Sequence, residues 1–568
     1  MLRFTAVALL ALSTSTFAQT VPPSATRAAP APAQPGMQQA TATPVPPTPT
    51  PAEINTRLAM PLSADQAAMK AHVLFLASDP MKGREAGSPE YDIAAQYVAA
   101  QFYAAGLRPG GDEGGYLQRV PLVSYKAADR GTMVLSVRGR APQPLVFGED
   151  YLPAPNAVQD ETSVNAPIVF VGYGVNAPQY RHNDYGRVNV RGKIVVFVGG
   201  APASFGGEER AFFGSPQTKL REAAARGAVG AIQLQARAQT LPTEGFDRAR
   251  MTWVRANGRG AADGAPLLGT LSAGGAAKLF GRGWAKIASE TAKEAPRFRS
   301  AALPGTLAVA TRTSFAPAQS SNVVGVIPGS DPVVGKDVVV LSAHLDHIGV
   351  GRPVNGDAIN NGALDNAIGI ASLIEEAKRF ASSGTPPKRT VMFLAVTAEE
   401  KGLVGSDYFS NHPTVALERI VADVNLDMPI LLYPFEDMIV FGAERSTLGP
   451  IVRRAVESAG VALAPDPNPE MGIFVRSDHF RFVQKGVPSV FLWPGQKGPG
   501  KAAVDGFFAT SYHRPSDDLA QPIRWDQGVR FVDVNYRIAR EIADGAERPV
   551  WNRGDYFGTL YKGRMAAQ

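Results

Sequence analysis

Beyond about residue 320 this chain alternates short apolar runs with longer amphipathic stretches. The apolar runs fall at 323–327, 338–342, 390–396, 420–426, 438–441 and 489–492. Helical spacing of apolar residues falls at 368–380, 448–459 and 528–543. Strands that alternate with helices must lie largely parallel, because each helix carries the chain back across a face of the sheet. The predicted class is therefore α/β, a mixed, largely parallel sheet flanked by helices. Sites in such sheets lie beyond the carboxyl ends of the strands.

The upstream part is organised differently. Ser63 is placed to cap a helix over 65–76, and a loop over 81–88 precedes a second helix over 89–107. Short strands are predicted over 116–147. From 150 to 315 the texture changes, with strand-like runs at 168–174, 192–198 and 227–234 and a helix at 219–226. This segment has one histidine, His182, and no converging carboxylates, so it reads as a separate module. The expected organisation is a catalytic domain in two parts, 56–149 and 316–550, with 150–315 inserted and 551–568 as a tail.

The amino-terminal residues read as an address. Met1-Leu2-Arg3 is followed by a mostly apolar run to Leu12 and a small residue at Ala18. A signal peptide over 1–18 is expected, then a Pro/Ala/Thr-rich linker over 19–55. The apolar run is too short to span about 30 Å of hydrocarbon, so no stable membrane anchor is expected. The expected location is outside the cytoplasm, in the periplasm or the medium. There is no cysteine, which excludes disulfides, thiolate ligands and a cysteine nucleophile. Lys+Arg 57 against Asp+Glu 51 gives a net charge of only +6, with no basic block, so nucleic acid is not an expected partner.

Polar clusters sit at the ends of the apolar runs. The strand at 338–342 leads into His344-Leu345-Asp346-His347. Asp365 stands just before the helix at 368–380, where taken alone it reads as an N-cap. The strand at 390–396 ends in Glu399-Glu400, two neighbours that point in different directions. Asp427 ends the strand at 420–426, and His513 lies in the loop Tyr512-His513-Arg514-Pro515-Ser516-Asp517. Two histidines and three carboxylates suit zinc. Five ligands exceed one open catalytic zinc, and suit two ions about 3.5–4 Å apart with a shared carboxylate.

As a set, His-x-Asp, Gly-Ala-x-Asp-Asn, Glu-Glu after a strand, Asn-Leu-Asp-Met and Tyr-His-x-x-x-Asp resemble the di-zinc aminopeptidases of metallopeptidase clan MH, which include aminopeptidase Y and the glutamate carboxypeptidase II type. The resemblance implies two Zn²⁺ per chain, held by His344, Asp365, Glu400, Asp427 and His513. It implies that Asp365 bridges, that His344 and Asp427 hold different ions, and that Asp365–Asn366 is a candidate cis peptide. Glu399 is implied as general base, Asp346 as the group orienting His344, and Tyr512 as an oxyanion donor. Arg476 and His479 are implied as substrate-side residues, and 150–315 resembles a protease-associated domain.

The expected function is a zinc exopeptidase acting on peptides, foremost an aminopeptidase. A glutamate carboxypeptidase-like dipeptidase stays open, because Arg476 or Arg514 could grip a substrate carboxylate. Glutaminyl cyclase shares the fold but normally uses one zinc. A receptor-like protein without catalysis is the non-enzymatic alternative, and no expected ligand is missing here to favour it.

Overall fold

The computed structural model describes residues 61–567. The expected signal peptide and linker, 1–18 and 19–55, lie outside the described residues. Among the described residues no helix is long and apolar enough to cross a membrane.

Helix α1, Ala64–Leu76, begins with reciprocal capping: Gln66 N–H donates to Ser63 Oγ at 3.4 Å and Ser63 N–H to Gln66 Oε1 at 3.3 Å. Helix α2, Pro89–Ala104, starts with Pro at its first position and with Ser88 Oγ accepting Tyr91 N–H. The chain then forms β1, Leu117–Ala127, and returns as the long β2, Ala301–Ile327. After these come β3, Val338–His344, α3, Ile368–Ser382, β4, Thr390–Val396, and α4, Val404–Asn411. The order closes with β5, Ile420–Asn425, β6, Asp437–Phe441, α5, Leu448–Ser458, β7, Ser489–Pro494, α6, Gly500–Thr510, and α7, Trp525–Asp544.

Across the sheet the strands run β1, β2, β4, β3, β5, β7, β6. The centre is parallel: β3 pairs with β4 and β5, and β5 with β7. The flanks are antiparallel, where β2 meets β4 and β6 meets β7. Side chains alternate faces along each strand. Val339, Leu341 and Ala343 of β3, with Val391, Phe393 and Ala395 of β4, face the core made with α1, α2, α3 and α7. Val338, Val340, Met392, Leu394 and Val396 face the other side, against Phe409 of α4. Burial on both faces explains why these strands read as unbroken apolar runs.

Residues 128–312 build a second sheet. The chain leaves at Ala128 and returns at Arg312, and Ala128 N–H donates to Arg312 O at 2.9 Å. This sheet includes 132–136, 161–170, 194–198, 230–234 and 267–271, joined to the first half of β2. It therefore starts before residue 150, and its last strand runs on into the main sheet. It has its own core around Met133, Ile168, Phe170, Ile194 and Leu268. It is also fastened to the rest: 250–253 pairs with β1, Trp253 Nε1 donates to Asp407 Oδ2 at 2.6 Å, and Arg445 Nη2 reaches Glu209 at 3.0 Å.

The stretch 551–567 is not a tail. Trp551 is 1% exposed and bridges to Ser446 and Met565, and Phe557 is fully buried against Phe212 and Phe480.

Candidate metal centre

Strand register brings the polar ends together. His344 of β3 stands opposite Val396 of β4, so Glu399 and Glu400 follow within one turn of chain. Ser342 stands opposite Asn425 of β5, which places Asp427 beside His344. His344 Nδ1 lies 3.1 Å from the main-chain oxygen of Asp346, which takes its N–H. Its other nitrogen, Nε2, faces Asp427 Oδ1 at 3.0 Å and Asp365 Oδ1 at 3.3 Å and is the one a metal ion there would meet.

Asp365 occupies the turn before α3, and its peptide bond to Asn366 is cis. Gly362 makes the turn possible with φ 62, since a Cβ there would meet the His347 ring at 2.7 Å. The Asn366 side chain ties the turn to the next ligand: Nδ2–H donates to Leu426 O and Oδ1 accepts Met428 N–H. Arg84, fully buried, donates to the carbonyls of Leu345, Asn361 and Gly362 and so joins the His344 and Asp365 loops. Burial lowers the Arg84 pKa to about 10, where it remains a cation facing Asp346 and Asp517.

The other oxygen of Asp365, Oδ2, lies 3.3 Å from His513 Nε2, and His513 Nε2 lies 3.2 Å from Glu400 Oε2. Two donor groups thus share Asp365. One is His344, Asp365 and Asp427; the other joins Asp365 to Glu400 with His513 and with His347. For zinc bonds of 2.0–2.1 Å, tetrahedral ligands stand about 3.3 Å apart. The four separations quoted, 3.0 to 3.3 Å, fit that edge. Asp365 Oδ2 is buried and makes no hydrogen bond of good geometry among the described residues.

The electrostatics fit cations too. Burial opposes charge on His344, yet Asp427 and Asp365 push it well above the usual imidazole range. His513 is carried to about 10 against its burial by Asp365 and Glu400. Burial and Asp365 push Glu400 up, and His347 and His513 outweigh them to hold it near 2. Neutral imidazoles facing divalent ions satisfy the same carboxylates without protons.

Three expectations change, and a fourth is refined. His344 and Asp427 fall in the same donor group and not in different ones, because β3 and β5 are adjacent and in register. Asp346 holds the His344 ring through its main-chain oxygen, and its carboxylate does something else: Oδ1 and Oδ2 accept the amides of Glu399 and Glu400 at 3.0 and 3.3 Å. His479 is not substrate-side, since it is fully buried between Phe474 and Phe491, and burial lowers its pKa to about 3. Arg514 turns back toward Thr510 O in its own loop.

The cleft beside the two groups exposes Glu399 and Tyr512, with Arg476 at its rim. Its other wall is apolar, formed by Met428, Ile473, Phe491, Trp493 and Phe508. Tyr512 stacks on His513 with ring centroids 3.9 Å apart, and burial raises its pKa. Arg476 is exposed and has no ion-pair partner among the described residues. The residues that sequence reasoning did not assign are His347 against Glu400, Ser477 donating to Asp427 Oδ2 at 2.5 Å, and Asp517 beneath Asp365. His347 and Asp517 stood inside motifs already singled out, and Ser477 opens Ser477-Asp478-His479-Phe480, a stretch that resembles a cleft loop of the family.

Residues 322–539, which hold all five expected ligands, match the family model described as peptidase family M28. The resemblance to the clan MH di-zinc aminopeptidases therefore holds over the segment carrying the centre. The chain is 28% identical over 218 residues to the probable leucine aminopeptidase 2 of Aspergillus oryzae, covering 35% of this chain and 40% of that protein. It is 26% identical over 244 residues to leupeptin-inactivating enzyme 1 of Streptomyces exfoliatus, covering 41% of this chain and 48% of that one. The chain thus spans less than half the length of either relative. Among solved structures, the aminopeptidase from Aneurinibacillus sp. strain AM-1 aligns over 84% of this chain and 93% of its own, at 21% identity and TM-score 0.48.

Proposed function

We propose that this chain is a two-zinc exopeptidase, foremost an aminopeptidase, exported to the periplasm or the medium. The observation that carries the activity is the pair of donor groups sharing Asp365, with Glu399 free in the adjoining cleft. His344 and Asp427 would hold one ion, Glu400 and His513 the other, and Asp365 both. Ions bound there would acidify a water and polarise the scissile carbonyl.

Glu399 takes the proton of the attacking water and passes it to the leaving amine. Its side chain makes no hydrogen bond among the described residues, and burial lifts its pKa well above the carboxylate range, so it can carry that proton. Ala398 before it adopts a left-handed φ of 54, a conformation that costs of order 1 kcal/mol for a non-glycine residue. The two amide bonds to Asp346 offset that strain and aim Glu399 and Glu400 apart. The Tyr512 hydroxyl, kept protonated by its raised pKa, donates to the carbonyl oxygen as charge develops.

The carboxylates suit a free substrate α-amino group, and the apolar wall suits a hydrophobic side chain before the scissile bond. A second reading rests on Arg476: an unpaired guanidinium at the rim suits a substrate carboxylate, as in an acidic dipeptidase. The second donor group is what disfavours a one-zinc cyclase. The 128–312 segment, read as a protease-associated insert, would shape the cleft from outside.

The test compares hydrolysis of aminoacyl anilides and acidic dipeptides by the purified chain before chelation, after it, and after zinc is restored. Cleavage of leucyl or methionyl anilides that disappears and returns supports the reading. Undiminished cleavage by metal-free protein sinks it.

A further inference from the structure

His347 is fully buried, and the expected ligand set does not use it. Its backbone is held in place by Arg84, whose carbonyl accepts His347 N–H at 3.3 Å, and by a bridge to Glu85. Gly362 lies against the ring and leaves no room for a Cβ. Among the described residues only one ring nitrogen is engaged: Nδ1 stands 2.7 Å from Glu400 Oε1, while Nε2 has no hydrogen-bond partner.

The distances separate a ligand from a neighbour. The His344 and His513 nitrogens stand 3.0 to 3.3 Å from their carboxylate oxygens, near the tetrahedral edge of about 3.3 Å. His347 Nδ1 is 2.7 Å from one carboxylate oxygen and 3.9 Å from Asp365 Oδ2. The first is the length of a charge-assisted hydrogen bond, shorter than the tetrahedral edge, and the second is well beyond that edge. Glu400 is therefore divided: Oε1 faces His347 and Oε2 faces His513 at 3.2 Å.

We infer that His347 is a positioning residue for the second ion: its Nδ1–H holds Glu400 Oε1, so that Glu400 presents Oε2 alone to the metal. This role rests on the two-ion reading above. Outer partners of this kind fix the direction of a ligand and raise metal affinity about 10- to 100-fold.

The experiment titrates zinc into metal-free wild type, His347→Leu and His347→Asn against a competing chelator, and records the visible spectrum of each cobalt-loaded protein. Leu keeps most of the volume and removes the donor. Asn puts an amide N–H at the position of Nδ1. Wild type should take two ions. His347→Leu should bind the second about 10- to 100-fold more weakly and the first as wild type does. His347→Asn should recover the second ion to within about threefold, with an unchanged cobalt spectrum. Wild-type affinity for both ions in His347→Leu overturns the role. So does loss of the second ion in His347→Asn, which is also readable if the Leu variant fails to fold; a cobalt spectrum missing one imidazole would then make His347 a ligand. Wild type that binds fewer than two ions defeats the two-ion reading itself, an outcome distinct from either variant result.

Discussion

Asp517 Oδ2 accepts the backbone N–H of Asp365 at 2.9 Å, while its Oδ1 accepts that of Leu364 at the same distance. One carboxylate thus fixes the turn that presents the shared ligand, from the loop that also carries His513. Asn at this position keeps one acceptor and turns an amide donor toward a second N–H. Asp517→Asn should therefore cost about 1–3 kcal/mol of stability, the range for an orphaned buried polar group, and weaken binding at both positions. Urea unfolding of the metal-free protein and zinc titration check it. Unchanged values in both would remove the clamp.

Metal-free protein should lose stability as pH rises from about 4 to about 10. Burial raises Asp346 to about 6 and Asp517 to about 7 from 3.8, so the folded state binds their protons more tightly and loses that advantage between about 4 and 7. His513, raised from 6.5 to about 10, contributes stability that is complete below 6.5 and gone above 10. Glu400, lowered to about 2, acts oppositely, and only as pH falls below 4.5. Zinc affinity should climb over the same rise in pH, because binding releases the imidazole protons. The gap in melting temperature between zinc-loaded and metal-free protein should therefore widen from pH 5 to pH 8. A constant gap would contradict the assignment of His344 and His513 as ligands.

Glu399→Gln should lower kcat about 10²- to 10⁴-fold and keep both ions, since it removes a base and no ligand. Much of the wild-type rate, or loss of zinc, would break the division of roles between Glu399 and Glu400.

Asp365→Asn separates the bridge from the helix cap. Asn caps as well as Asp, so a mere cap predicts little change. A bridging carboxylate predicts weaker binding at both positions, because a neutral amide cannot balance two divalent ions. Zinc content by mass spectrometry after desalting decides between them.

The central elements were legible because their signals are local. β4 falls at 390–396 as its apolar run predicts, and α3 begins where the apolar spacing starts at Ile368. The grouping of ligands was not legible, because it depends on the register of β3 against β5, which no local pattern carries. The further role of Asp346 was not legible either, because its carboxylate meets the amides of Glu399 and Glu400, more than fifty residues away. The crossing of β2 between sheets was hidden by its polar middle, Thr311-Arg312-Thr313-Ser314, and by Pro304 and Pro317. The end of the chain looked like a tail because two aromatic residues, Trp551 and Phe557, carry its attachment.

The 128–312 segment should be removable without loss of the metal centre, provided the junction is chosen by strand pairing. Cutting at 150 and 315 would sever β2 within its pairing to β1, where Phe315 lies opposite Tyr125. The hydrogen bond between Ala128 and Arg312 marks a better junction, since a short turn there closes the main sheet without crossing a gap. Replacing 129–311 by such a turn removes no candidate ligand. It does remove Trp253 from Asp407 and exposes one edge of β1, so a loss of stability is expected. Zinc content and leucyl anilide cleavage should survive, while the preference among longer peptides should change, because Arg248 of this segment lines a groove that reaches His513. An unfolded product without zinc would mean that the two sheets form one cooperative unit, and the insert reading would then have to be abandoned.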